Sequence, residues 1–133
     1  MNFLLDTNIC VYWLKGDKNI EGKAISVGID NMWISFVNLS ELFYGAYKSE
    51  KQNENLSAIQ TMMEKVVIID SSEEICERFG KLKAQLEREG NIIDDADLFI
   101  AACALVNEVT LVTNNEKHFS RIKGLKLENW VDS

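Results

Sequence analysis

Proline is absent from this chain, histidine occurs once and cysteine three times. With no proline, no low-complexity run and no repeat, nothing marks a linker or an internal boundary, so residues 1–133 are expected to form one domain. Cys10, Cys76 and Cys103 lie far apart, lack Cys-x-x-Cys spacing and are odd in number. That excludes a disulfide framework or cysteine-rich zinc site as an organising principle and leaves them as small core hydrophobes. His118 is the only histidine available to a Ser/His/Asp triad, and no Gly-x-Ser-x-Gly elbow holds a serine for it. No apolar run is long enough to cross a bilayer. The opening Met1-Asn2-Phe3-Leu4-Leu5-Asp6 lacks the basic start of a signal peptide, so no membrane and a cytoplasmic location are expected. Positive charge is also scarce: 14 basic against 21 acidic residues give a net charge of −7. A polyanionic partner would have to be held locally, by a cation bound at acidic residues or by a patch drawn from Lys48, Lys51, Arg78, Lys81, Lys83 and Arg88. The same six residues equally suit ordinary solvated helix positions.

What is present is the pattern of an α/β domain. Hydrophobic residues make up 47% of the chain, enough for a packed core at this length. Short apolar runs at Phe3 to Leu5, Met32 to Phe36, Val66 to Ile69 and Thr110 to Val112 alternate with helical patterns, which predicts βαβ units and a parallel sheet. A last short strand is expected at Leu125 to Leu127. Thr7 or Asn8 is placed to cap the helix after the first strand. Leu39, Leu42, Phe43 and Ala46 form an amphipathic stripe with Glu41 on the other face, and Gly45, one turn beyond, leaves room beside that carboxylate. Residues 72 to 89 predict a longer helix with Ile75, Phe79, Leu82 and Leu86 inward and Gly90 as its stop. From Asp94 to Val106 an acidic opening leads into a helix apolar on every side, with Asp97 beside Ala101 and Ala104.

Three acids stand out from this frame. Asp6 ends the first strand, where parallel sheets open a crevice to ligands, though a turn or cap role would also explain it. Glu41 suits a solvated helix acid as well as a site residue. Asp97 suits the third position of a capping box begun by Asp94, or a carboxylate beside small residues kept for a ligand. Clustered carboxylates repel unless a cation sits among them, and hard oxygen donors suit Mg²⁺ or Mn²⁺, as one ion or as two about 3.5–4 Å apart.

Phe3-Leu4-Leu5-Asp6-Thr7-Asn8, Ser40-Glu41-Leu42 with Gly45, Ile93 to Asp97 leading into Ile100-Ala101-Ala102, and Leu111-Val112-Thr113-Asn114-Asn115 with Phe119 together resemble the ordered signature of PIN-domain proteins. The closing Gly124-Leu125 to Asn129-Trp130 is similar to the tail of the VapC toxins within that family. The resemblance implies a parallel β-sheet sandwiched between α-helices, with Asp6, Glu41 and Asp97 as metal-binding, catalytic acids. It implies a Mg²⁺- or Mn²⁺-dependent endoribonuclease that cuts RNA phosphodiesters with an activated water and is neutralised by a cognate antitoxin. A homodimer is the further expected assembly. Thr7, Asn8, Asp95, Thr113, Asn115 and Glu116 are supporting candidates. Asn115 stands where many PIN proteins carry an acid, with Glu116 just beyond, and can offer a carbonyl oxygen or orient a water. Asp95, once helical, falls roughly 160° around the axis from Asp97 and faces elsewhere. A catalytically silent PIN module that binds RNA or protein is the alternative, and a phosphotransfer or phosphatase reading lacks its expected lysine after Val112.

Overall fold

The computed structural model describes residues 1–131. The chain alternates short strands with helices: β1 (Phe3–Leu5), α1 (Thr7–Leu14), α2 (Lys18–Val27), a 3-10 turn (Ile29–Asn31), β2 (Met32–Ser35), α3 (Phe36–Lys48), α4 (Gln52–Lys65), β3 (Val67–Ile69), α5 (Glu73–Arg88), α6 (Asp95–Asn107), β4 (Thr110–Val112), α7 (Glu116–Phe119) and β5 (Leu127–Glu128). The strands form one sheet in the order β3-β2-β1-β4-β5, and every pairing is parallel. This is the parallel sheet that the residue pattern predicts, within the helix sandwich that the resemblance implies.

Both faces of the sheet are covered because the central strands are apolar on both sides. Phe3, Leu5, Met32 and Ile34 pack with Ile9, Ile20, Leu42, Ile59 and Met62 from α1 to α4. Leu4, Ile69 and Leu111 face the opposite way, onto Ile75, Leu86, Leu98 and Ile100 of α5 and α6. Alternate residues of one short strand thus serve two cores, as its two-residue period demands. Phe79 and Phe99 stack at 3.9 Å between ring centroids and lock α5 to α6. Ile75 and Leu86 are buried from the expected α5 stripe, while Phe79 and Leu82 are partly buried, and Gly90 follows at φ +76°, a left-handed turn that a side chain would strain.

Four local expectations are corrected. The helix after β1 is capped by Asp6, whose Oδ1 accepts from the Thr7 backbone N–H at 2.9 Å, so Thr7 and Asn8 lie inside α1 and cap nothing. Phe36 opens α3 instead of closing β2, because Ser35 is already its cap. The last strand runs two residues later than expected, with Leu127 and Glu128 paired to Leu111 and Val112. Cys10 and Cys103 are buried as expected, but Cys76 is exposed on α5.

Strand order fixes where a ligand can bind. The chain builds outward from β1 through β2 to β3, then returns across the sheet to place β4 on the other side of β1. Connections diverge there, the point at which open parallel sheets place their ligands, outside the carboxyl ends of the strands.

Candidate active site

Leu5 of β1 is registered with Val112 of β4, so the next residue of each strand, Asp6 and Thr113, emerges side by side. The Asp6 backbone N–H donates to Val112 O at 2.9 Å and continues the ladder to the rim of the crevice. Asp6 is only 7% exposed. Its Oδ2 accepts the Thr113 hydroxyl proton at 2.8 Å, and Thr113 Oγ1 in turn accepts from the Asn115 backbone N–H at 3.0 Å. Each carboxylate oxygen of Asp6 therefore has one fixed donor and keeps acceptor capacity to spare.

A second chain of hydrogen bonds reaches Glu41 from below. The Ser35 N–H and hydroxyl both donate to Asn38 Oδ1, at 2.9 and 2.7 Å, and the Asn38 N–H donates back to Ser35 Oγ. This reciprocal cap starts α3. Asn38 Nδ2 donates to Thr7 Oγ1 at 3.1 Å, and the Thr7 hydroxyl donates to Glu41 Oε1. Thr7 thereby links α1 to α3 and orients Glu41 toward Asp6. No cap function was needed to give Thr7 a role. Asn38 is fully buried. Asn38→Leu is expected to destabilise the fold by about 1–3 kcal/mol for each buried partner left unpaired, read as a lower urea midpoint.

Asp97 completes the group from α6, flanked by fully buried Ala101 and Ala104. Asp94 stands at the helix cap position but makes no side-chain cap bond, so the capping-box explanation of Asp97 does not hold. Burial is the main reason the Asp97 carboxyl titrates above the ordinary range, reinforced by Asp6 and opposed by His118, with Asp94 and Glu41 raising it further. Asp6 is also raised, first by burial, against the lowering pull of Thr113 and Thr7, with Glu41 raising and His118 lowering it. The three acids thus lie within electrostatic reach of one another, although they come from three elements.

The supporting candidates divide. Thr7 and Thr113 touch the acids directly. Asn8 is exposed on α1. Asp95 points away and pairs with Lys83 Nζ at 2.9 Å, which removes it from the site as its helical angle implies. Asn115 takes part through its backbone, its side chain makes no cap bond to α7, and both it and Glu116 are exposed. Of the proposed basic patch, Lys83 is committed to Asp95 and Lys48 lies over the Tyr44 ring, whereas Lys51 lines a cleft of about 670 Å³ that also includes Glu41, Gly45 and Lys15. A Cβ added to Gly45 would meet nothing within 4 Å, so the space expected beside Glu41 is there.

Two groups at the site escaped the sequence reading. Ser35 and Asn38 carry the Ser-x-x-Asn spacing of a reciprocal cap, a signal that could have been found. His118 places Nε2 3.0 Å from Asp97 Oδ2 across a gap of 21 residues, and no sequence period links the two.

Oxygen donors of this kind suit a hard divalent cation. Among the described residues no three ionisable side chains close into a ready-made metal cage. That is compatible with Mg²⁺, which keeps several waters and takes one or two carboxylates together with phosphate oxygens.

Known proteins of this construction are numerous. The PIN domain family model matches residues 3–125. Ribonuclease VapC2 of Rickettsia felis is 40% identical over 132 residues, covering 98% of both chains. The tRNA(fMet)-specific endonuclease VapC of Shigella flexneri is 33% identical over 130 residues, again with 98% of each covered. In the crystal structure of VapBC2 from Rickettsia felis bound to a DNA fragment from their promoter, one chain superposes with a TM-score of 0.92 at 40% identity, covering 98% of this chain and 99% of that one. A match of such length in sequence and fold leaves one conclusion: the chain belongs to the PIN-domain family, in its VapC branch.

Proposed function

We propose that this protein is the toxin of a toxin–antitoxin pair, an endoribonuclease that hydrolyses RNA phosphodiester bonds and depends on Mg²⁺ or Mn²⁺. What supports the reading is that Asp6, Glu41 and Asp97 lie within electrostatic reach of one another, with Asp6 at the switch point of the sheet, in a chain so similar throughout to VapC ribonucleases. Asp6 and Asp97 would hold the cation, and Glu41 would be a ligand or orient the attacking water. When bound, the cation supplies Lewis acidity at the phosphoryl oxygens and eases deprotonation of the water.

The protein's own groups do the rest. Thr113 and the Thr7 N–H fix the Asp6 carboxylate, so its free lone pairs keep one direction. The Thr7 hydroxyl occupies Glu41 Oε1 and leaves Oε2 to accept a proton. Lys15 and Lys51 in the adjoining cleft give an RNA backbone a local positive approach on an acidic protein. Because both cores share one sheet, residues 1–133 are taken to act as one domain. An antitoxin segment bearing arginine would neutralise the acids by occupying the place of the cation. Tyr44 and Tyr47, exposed on α3, offer apolar anchors for that segment or for the second copy in a homodimer. Among the described residues no helix is long and apolar enough to cross a membrane, and the cytoplasm is the proposed location.

The exposed Asn115 favours one competing reading, a silent module that binds RNA without cutting it. Purified, antitoxin-free protein is expected to cleave defined RNAs with Mg²⁺, to stop in chelator and to recover when Mg²⁺ is restored. Binding without cleavage at any Mg²⁺ or Mn²⁺ concentration would establish the silent module instead.

A further inference from the structure

His118 is the one side chain at the site with a buried polar atom left unmatched. Its Nε2 lies 3.0 Å from Asp97 Oδ2, yet outside hydrogen-bond alignment with any partner among the described residues. Buried nitrogens without a partner are rare in folded proteins and call for an explanation. The histidine did not drift there. Its neighbour Phe119 is fully buried in the core that α5 and α6 share with the sheet, the two rings meet edge to face at 5.6 Å, and the His118 N–H donates to Asn115 O. The short α7 is pinned on both sides of the residue, so the ring is presented to Asp97 by the fold.

We propose that His118 is a positioning residue for Asp97: its Nε2–H holds Oδ2 on the α7 side of the crevice and leaves Oδ1 free for a divalent cation. A modest turn of the ring brings Nε2 into line with Oδ2, so the bond tightens once Asp97 is drawn toward a ligand. Asp6 is held by two donors and Glu41 by one. Among the described residues Asp97 is the one of the three acids whose carboxylate accepts no hydrogen bond, and His118 is a group in reach to supply it. The inference rests on the metal-dependent nuclease reading for its consequence in catalysis, but its geometry stands independently.

Two variants separate positioning from packing. Glutamine can carry its amide nitrogen to the place of Nε2, whereas asparagine reaches only as far as Nδ1. Full-length wild type, His118→Gln and His118→Asn are compared by calorimetric titration with Mn²⁺ alone, by melting temperature, and by the kinetics of RNA cleavage. His118→Asn should weaken Mn²⁺ binding about 10-fold and lower kcat about 10–100-fold with KM for RNA little changed, the range seen when a group behind a metal ligand is lost. His118→Gln should recover most of both, and neither substitution should weaken Mn²⁺ binding further once Asp97→Asn is present. The proposal is overturned if the two variants behave alike in Mn²⁺ affinity, whether both match wild type or both fall equally. If wild type cuts no RNA at all, the nuclease reading fails by itself, and the Mn²⁺ titrations still decide the role of His118.

Discussion

Asp97→Asn is expected to lower RNA cleavage by more than about 100-fold and, in chelator, to raise the melting temperature. Loss of a group that merely orients a metal ligand costs about 10–100-fold, and loss of the ligand's own charge should cost more. The gain in stability follows from the same electrostatics. Asp97 and Asp6 both hold their protons more tightly in the folded protein than the ordinary aspartate value near 3.8, mainly because they are buried. The folded state then binds more protons than the unfolded chain above that value, so stability must fall as pH rises through the raised range. Ionising both buried acids carries a cost that the Thr113 and Thr7 bonds and His118 offset in part and that a bound cation would offset further. Asparagine keeps the shape of Asp97 and removes the charge. The stability of wild type in chelator should therefore decline from pH 4 upward more steeply than that of the variant, and Mg²⁺ should stabilise wild type alone. Wild-type turnover in a well-folded Asp97→Asn protein would remove Asp97 from the catalytic group, and identical pH profiles would contradict the electrostatic account.

Trp130→Ala should be the most damaging single change to the fold, at about 3–5 kcal/mol for a truncated buried tryptophan. The ring is 1% exposed, meets Phe3 of β1 at 5.3 Å between centroids and donates from Nε1 to Glu128 Oε1 at 2.9 Å. It closes the core on the α1 to α4 face of the sheet, so its removal opens a cavity beneath the strand that carries Asp6. Against a typical total of roughly 5–15 kcal/mol this is a large fraction, worth about 10–20 °C in melting temperature. Trp130→Phe keeps most of the volume and loses the Nε1 bond, so it should recover most of that loss in urea unfolding. A shift below about 1 kcal/mol for Trp130→Ala would mean that the ring is not the keystone its burial implies.

Much of the fold was legible because the signals are periodic and local. Apolar triplets such as Phe3 to Leu5 and Thr110 to Val112, set between amphipathic helices, define a parallel sheet covered on both faces, and the structure has that architecture. The α5 stripe and the Gly90 stop were readable for the same reason. Edges were harder. Phe36 continues the apolar run of β2, and only the Ser35–Asn38 cap shows that it has entered a helix. Asp6 was visible as a strand-ending acid with a cap role among its possible uses, but its bond to Thr113 needed the partner strand.

The sequence by itself determined the acids, their order and the elements that bear them, since a residue's place on a helix face or a strand end follows from spacing alone. Asp95 stood among the supporting candidates although its helical angle from Asp97 argued against a shared site, and its bond to Lys83 agrees with that angle. Tertiary structure alone decided which groups share a crevice. Thr113 meets Asp6 because β4 returns to pair with β1, Thr7 reaches Glu41 because α1 packs beside α3, and His118 faces Asp97 because Phe119 anchors α7 in the core shared with α6. Each of these contacts joins residues far apart in the chain. They are set by the packing of side chains into two common cores, a many-body condition that no spacing in one sequence encodes.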